Sequence, residues 1–357
     1  MPASNSDYSL TNFAKYGRLA VIYGLIGLVV LIVGRSLLST SVSVFKALNP
    51  PPTPGPTMGF GYLPKPAFPN QIAEDRPTSY RLDTVGQTLP NFGTQVPVYF
   101  MPSAQPNLLA LDSAKETAAS LGFVFAPEKI SAEEYRWRRS TPIPATLEMN
   151  IVTKHLDLDV DWASSVSLLD KKNVPTPEQL TLETRSLLRS ANLLPADIAT
   201  ASPDITYIRA LGGELQPVSS VSEADFVRVD IFRLAPNDFP TVTSEQDRGV
   251  IRVLFSGSRE QGERVLRLES DYSSVDWSNF ETYPLQSAQL AWQALQAGEG
   301  FIVTPPRGDE AVIREVTLAY YEPTQLQNYY QPVYVFSGDD NFRAYVPALD
   351  SRIYNTN

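Results

Sequence analysis

The chain of 357 residues contains no cysteine and a single histidine, His155. Without cysteine, disulfide bonds, thiolate catalysis, iron–sulfur clusters and zinc–thiolate sites are excluded. With one histidine, a multi-histidine metal site is excluded, and so is a histidine-paired nucleophile anywhere except beside His155. An exported domain of this composition would have to rest on its apolar core alone.

Basic residues are also scarce relative to acidic ones. The sequence has 29 Lys and Arg against 39 Asp and Glu, a formal net charge of −10. This balance argues against a nucleic-acid surface, which needs basic patches to displace counterions. It argues equally against electrostatic docking of the domain onto anionic lipid. The hydrophobic content of 43% supports a packed core.

One long hydrophobic run stands near the start of the sequence. It extends from Leu19 to Leu38 and is interrupted by Arg35, whose long side chain can reach the membrane interface. We predict a transmembrane anchor at 18–38 after a cytoplasmic tail at 1–17, with the bulk of the chain extracytoplasmic. Two alternatives are a secretory signal cleaved near the small residues 39–43 and a buried helix of a soluble protein.

A proline-rich segment follows the run. Residues 50–56 contain five prolines and predict an extended, semi-rigid stalk. Residues 59–69 mix proline with Phe60, Tyr62 and Phe68, and we expect them to lie along the folded domain as an ordered strap. The alternative is a ligand for a proline-recognising partner. We assign 39–75 to this stalk and strap.

Periodicity predicts an α+β ectodomain in which helices pack on antiparallel sheets. Helices are predicted over Asp112–Leu121, from the Thr176 cap to Ala191, and over Ser287–Ala297. Alternating residues predict strands at Glu134–Arg139, Thr146–Val152, Leu156–Trp162, Ile205–Leu211, Phe226–Leu234, Val250–Phe255, Val265–Glu269, Val312–Tyr321, Pro332–Phe336 and Phe342–Val346. The order suggests repeated α-β-β-β modules, with a first module at 76–170 and a second region at 171–357, divided into 171–282 and 283–357.

The final module carries a family resemblance. Tyr283-Pro284-Leu285, Ala291-Trp292, Gly298 and the strands Val316–Tyr321 and Gln331–Phe336 resemble the PepSY-type module. In particular they are similar to the ectodomains of YycH/YycI-type proteins, mainly over 283–348 and more loosely over 108–165. That resemblance implies a single-pass extracytoplasmic protein that modulates a sensor histidine kinase. It implies a non-enzymatic role and assigns no individual functional residue.

Three aspartates alternate on a predicted strand beside the histidine. Asp157, Asp159 and Asp161 share one strand face, which favours a solvated surface and leaves a weak divalent-ion site as the alternative. The loop pattern of a calcium-binding EF-hand is not present, because Trp162 and Leu168 occupy its glycine and glutamate positions. His155 is expected in a turn, the alternative being an acid/base pair with Asp157.

Five residues are candidates for contact with a partner. Arg136, Arg138 and Arg139 form a basic cluster suited to an anionic polymer or a partner's carboxylates, or to guarding a strand edge against aggregation. Tyr329 and Tyr330 fall in a predicted loop and either face a partner or pack within the domain.

These observations lead to a functional hypothesis. The sequence predicts a membrane-anchored extracytoplasmic interaction or regulatory protein that contacts a membrane or envelope protein, with a sensor kinase as one such partner. The alternatives are a structural module of the envelope and, third, a carboxylate-based hydrolase. We assign no catalytic, cofactor-binding or metal-binding residue, expect no nucleic acid, and leave the oligomeric state open.

Overall fold

The computed structural model describes residues 10–48, 54–71, 76–234 and 239–355, and for 10–15 and 37–48 it describes the backbone alone. The chain divides into two compact units, with the boundary in the sequence between Gly55 and Pro56. The first unit contains one helix, α1 (Leu10–Leu48). Within it, the 21 residues Tyr16–Ser36 are long and apolar enough to cross a membrane, and none of this stretch is buried.

The second unit is α+β, with strands predominating. Its helices are α2 (Ala110–Ser120), α3 (Pro177–Ser190), α4 (Ala196–Ala199) and α5 (Ala288–Gln296). Its strands are β1 (Ser79–Leu82), β2 (Gln95–Phe100), β3 (Glu128–Lys129), β4 (Glu134–Arg139), β5 (Ala145–Asn150), β6 (Leu156–Val160), β7 (Asp204–Leu211), β8 (Glu214–Val218), β9 (Phe226–Ile231), β10 (Thr241–Val242), β11 (Ile251–Ser256), β12 (Val265–Ser270), β13 (Asp276–Pro284), β14 (Phe301–Thr304), β15 (Glu310–Tyr321), β16 (Tyr329–Tyr330), β17 (Pro332–Gly338) and β18 (Arg343–Pro347).

A nine-stranded antiparallel sheet forms the middle of the second unit. Its strand order is β3-β4-β5-β6-β12-β11-β9-β7-β8. One face packs against α2 and α3 around a core that includes Trp137, Leu158 and Val253. Helix α3 begins where its sequence predicts, because the Thr176 hydroxyl accepts from the Gln179 amide and the Gln179 side chain accepts from the Thr176 amide.

The nine-stranded sheet belongs to an insertion in a second sheet system. The chain leaves this framework after β2 and returns at β13, and these two strands pair with each other. The framework consists of the three-stranded sheet β13-β2-β16 and a six-stranded sheet. Five strands of the larger sheet follow the order β1-β15-β17-β18-β14, and the sixth, β10, pairs with β15. Helix α5 packs on it through Ala291, Trp292 and Leu295.

Strand pairing therefore groups residues differently from the predicted modules. Strand β6 pairs with β12, so one sheet crosses the boundary predicted at residues 170 and 171. Strand β1 was not predicted, although its residues fall within the predicted first module (76–170), and it pairs with β15 of the framework. The difference arises because pairing between distant strands leaves no signal in local periodicity. The suggestion that the chain contains repeated α-β-β-β modules stays a prediction.

The strap runs along the framework. Leu63 is fully buried, donates its amide to the Ile353 carbonyl at 3.0 Å and accepts from the Asn355 amide at 3.0 Å. The Phe68 ring stacks on Phe301 with centroids 5.2 Å apart. Phe68 thus covers one face of the six-stranded sheet, while α5 covers the other. Both faces being covered explains how the many C-terminal aromatic residues are buried.

Candidate functional site

A buried ionic cluster joins the insertion to the framework. We call it the Arg233 cluster: Arg233 just after β9, Asp197 in α4, Tyr272 after β12 and Glu322 after β15. The Arg233 guanidinium donates to both oxygens of Glu322, from Nε at 2.8 Å and from Nη2 at 2.7 Å. It also donates to Asp197 and, at 2.5 Å, to the Ser273 carbonyl. Tyr272 donates its hydroxyl to Asp197 at 3.0 Å and places its ring 4.4 Å from the guanidinium carbon.

The charges in this cluster are almost fully removed from water. The side chains of Arg233 and Glu322 are 0% and 2% exposed. Burial alone would lower the pKa of Arg233, but Glu322 and Asp197 raise it above its ordinary value. Burial also raises the pKa of Tyr272 to about 12. A buried pair of this kind tolerates the loss of one partner poorly, because the other charge is left unpaired in a low-dielectric interior.

A short arm of the insertion reinforces this junction. Strand β10 leaves the nine-stranded sheet system and pairs in parallel with β15, Thr241 with Tyr320 and Val242 with Tyr321. The Thr241 hydroxyl donates to the Arg233 carbonyl at 3.1 Å. The Glu322 amide in turn donates to the Val242 carbonyl at 2.8 Å. The arm and the ionic cluster together hold the two parts of the unit in one relative position.

A cleft of about 440 Å³ opens beside this junction. We call it the neck cleft. Four chain segments and two further loop residues line it: 101–104, 152–154, 192–195, 270 with 272–274, and Leu326 with Gln327. These residues are apolar or carry hydroxyl and amide groups, and Lys154 is the one charged side chain among them. Such a lining suits recognition by shape, apolar contact and hydrogen bonds.

His155 lies next to the neck cleft and does not pair with Asp157. Its Nε2 is 3.3 Å from the Ser273 hydroxyl, in the segment that lines the cleft. Burial lowers the pKa of His155, although the nearby carboxylates of Asp271 and Glu322 partly oppose this. The described hydrogen bonds include none between His155 and Asp157. The residue therefore serves as a mostly neutral hydrogen-bonding group at the junction.

Two of the three aspartates, Asp157 and Asp159, occupy the face of the nine-stranded sheet opposite the helices. Asp161 lies just after β6, which ends at Val160. Asp157 and Asp159 alternate with buried Leu156, Leu158 and Val160 along β6. Asp159 accepts from Arg267 at 2.8 Å, while burial and then Glu269 raise the pKa of Asp157. Within the described ranges, no group of three or more His, Cys, Asp or Glu residues could hold a metal ion. The alternation follows the solvated face that the sequence favours.

The three predicted arginines do not form one patch. Arg136 donates to Glu148 at 2.7 Å, and Arg138 lies 3.4 Å from Glu128. Both point to the solvated face of β4. Arg139 lies on the opposite face, because successive residues of a strand alternate, and it contacts the helix layer instead. The cluster seen in the sequence is thus divided between two surfaces.

The two predicted tyrosines lie in strand β16, which pairs with β2. Tyr330 is fully buried, stacks on Tyr320 with centroids 5.2 Å apart, and lies 5.6 Å from the Arg233 guanidinium carbon. Its ring is therefore in the core, away from any surface that a partner could contact. Tyr329 is half-buried, with its ring 5.2 Å from that of Phe60 in the strap. Sequence reasoning placed both in a loop because a two-residue strand gives no periodicity.

The sequence did not reveal the Arg233 cluster or the neck cleft. Arg233 and Glu322 are 89 positions apart. Glu322 follows the mostly apolar run Val316–Tyr321, whereas Arg233 follows a strand that already contains Arg228 and Asp230. A single charge at the end of an apolar run is a signal that could have singled out Glu322, but not Arg233. Their pairing could not be predicted, because it depends on how the insertion returns to the framework.

The comparisons with known proteins add no function. No family profile and no curated protein matches the chain. Among solved structures, the chain is similar to an uncharacterized protein from Eubacterium rectale ATCC 33656, with 12% identity over 74% of this chain and 86% of that one and a TM-score of 0.35. A likeness at this level carries no argument about function.

Proposed function

We propose that this is a membrane-anchored, extracytoplasmic interaction or regulatory protein that acts by contact with another protein of the cell envelope. The apolar stretch Tyr16–Ser36, none of which is buried, supports the anchor, since a bilayer core of about 30 Å needs roughly 20 helical residues. The proposal places the N-terminal tail in the cytoplasm and the unit from Pro56 outside. The resemblance to PepSY-type and YycH/YycI-type modules adds two elements, a sensor kinase as partner and a shared origin for the helix-and-sheet modules.

The neck cleft is the surface that we propose contacts the partner. Its hydroxyl and amide groups can hydrogen-bond to a partner's backbone, and Leu326, 63% exposed at its rim, offers apolar contact. The Arg233 cluster beside it fixes the walls, so that binding need not order them first. The lining residues include no carboxylate, which favours binding over the hydrolase alternative.

The edges of the nine-stranded sheet favour this function over a self-assembling structural module. Edge strand β3 has two residues, Glu128 and Lys129, both charged and exposed. Edge strand β8 contains Pro217, which has no amide to donate to another strand. Short, charged or proline-containing edges oppose strand addition between copies. These edges therefore favour contact with a different protein over association between copies of this chain.

Photocrosslinking in native membranes tests the proposal. A photoreactive amino acid is placed at Leu326 or Lys154 in the neck cleft, and at Leu182 on α3 as a control of similar exposure, 67%. We expect one dominant crosslinked membrane or envelope protein from the two cleft positions and not from Leu182. Crosslinks between copies alone would favour the structural module, and identical products from all three positions would contradict the role of the cleft.

A further inference from the structure

A second pocket of about 280 Å³ lies on the helix side of the nine-stranded sheet, at the end of α2 and beside α3. We call it the Arg139 pocket. Leu158 and Phe255 of the sheet form an apolar floor, and Ser186 and Ser190 of α3 lie at the rim. Helices α2 and α3 are fixed to each other here, since the buried Thr117 hydroxyl donates to the Ala191 carbonyl at 3.0 Å.

The pocket contains two guanidinium groups that differ in charge compensation. Arg264 donates to both oxygens of Glu183 at 2.6 Å, so that pair is neutral. Arg139 donates to the Gly262 carbonyl at 2.8 Å and to the Leu121 carbonyl at 3.4 Å, and has no acidic partner among the described residues. Its Nε–H is buried without an acceptor. Burial lowers the pKa of Arg139, and no nearby carboxylate opposes this.

Neighbouring groups fix the position of the Arg139 guanidinium. The group lies 5.0 Å from the centre of the Phe123 ring. Two glycines with positive φ pack against it: a Cβ at Gly122 would lie 3.0 Å from Nη1, and one at Gly262 would lie 3.4 Å from Cζ. The two carbonyls take one N–H each from Nη1 and Nη2, and the Nε–H is buried. One N–H on each of Nη1 and Nη2 is left for an acceptor.

We propose that the Arg139 pocket binds a small monocarboxylate with an apolar body, its carboxylate on Arg139 and its hydrocarbon part on the Leu158–Phe255 floor. A planar guanidinium matches a carboxylate with two parallel hydrogen bonds. One uncompensated positive charge fits one negative charge, and Glu183 beside Arg264 disfavours a dianion. A pocket of this volume, at the lower end for small-molecule sites, suits a short ligand.

Calorimetric titration of the full chain in detergent tests this site. The probes are hexanoate and benzoate, each with its neutral amide as the matched control, at up to about 10 mM. We expect saturable binding of at least one carboxylate and none of its amide. Arg139→Gln should weaken binding about tenfold or more, because a charge-assisted hydrogen-bonded pair is lost.

Further variants separate binding from folding. Ser186→Trp leaves Arg139 in place and fills the pocket from the rim, so it should abolish binding while the circular dichroism spectrum is retained. Arg136→Gln, on the opposite face of the same strand, should bind as the wild type does. Absence of saturable binding by both carboxylates, equal binding of an amide, or unchanged affinity in both Arg139→Gln and Ser186→Trp would overturn the proposal.

Discussion

Removing the buried cation at the junction should destabilise the protein more than any surface change. The substitution Arg233→Met leaves the Glu322 carboxylate, 2% exposed, without its two hydrogen bonds of 2.8 and 2.7 Å. It also removes the hydrogen bonds that Arg233 donates to Asp197 and to the Ser273 carbonyl. Breaking a buried pair by removing one partner costs about 3–5 kcal/mol, and we expect a loss in unfolding free energy within that range.

A double variant tests whether the unpaired charge causes this loss. Arg233→Met with Glu322→Leu removes both charges and fills the space with apolar groups, a replacement that is often close to neutral. We therefore expect the double variant to recover most of the stability lost in Arg233→Met. Asp197 retains its hydrogen bond from Tyr272 in both variants.

Urea unfolding of the full chain in detergent, followed by tryptophan fluorescence, measures these differences. Arg352→Met is the control, since Arg352 pairs with Asp350 at 2.6 Å but is 86% exposed and should contribute about 0–1 kcal/mol. A loss below about 1 kcal/mol for Arg233→Met, or a double variant no more stable than the single one, would refute the reasoning.

Three further predictions concern single positions and use the same unfolding assay. Burial lowers the pKa of His155, so below about pH 6.5 the unfolded chain binds a proton that the folded protein does not. Stability should therefore fall as the pH is lowered from about 7.5 to about 5.5, and less so in His155→Gln; equal losses would contradict this. Thr176→Ala removes the cap of α3 and should cost about 1 kcal/mol, whereas Thr181→Ala in the same helix should cost less. Leu63→Ala should cost about 2–5 kcal/mol because the strap leucine is fully buried, and exposed Leu182→Ala serves as its control.

Local structure could be predicted from the sequence where one segment carries its own signal. Thr176, Pro177 and Gln179 fix the start of α3, and the alternation of β6 separates the aspartates from the buried leucines. Strand β4 has the bounds that its alternation predicts, Glu134–Arg139. In each case the pattern is complete within about a dozen residues, so no distant partner is needed to recognise it.

Features that depend on pairing between strands far apart in the sequence could not be predicted in this way. The pairing of β2 with β13 makes the middle of the chain an insertion. It joins residues from Asp276 with Phe100, 176 positions apart, to Pro284 with Gln95, 189 positions apart. The burial of Tyr330 follows from its pairing with Tyr99 of β2. In the sequence, Arg139 could not be told from Arg136 and Arg138. Its hydrogen bonds to the Leu121 and Gly262 carbonyls set it apart from them.

Cysteine labelling in sealed, right-side-out membranes tests the central claim, that Tyr16–Ser36 anchors the unit from Pro56 outside the membrane. The natural chain has no cysteine, so single variants Ser6→Cys and Ser351→Cys report without background. We predict that a membrane-impermeant maleimide labels Ser351→Cys at once and Ser6→Cys only after permeabilisation, with the chain of full mass in the membrane after alkaline extraction. Protection of Ser351→Cys, or release of the protein by alkaline extraction, would contradict the account.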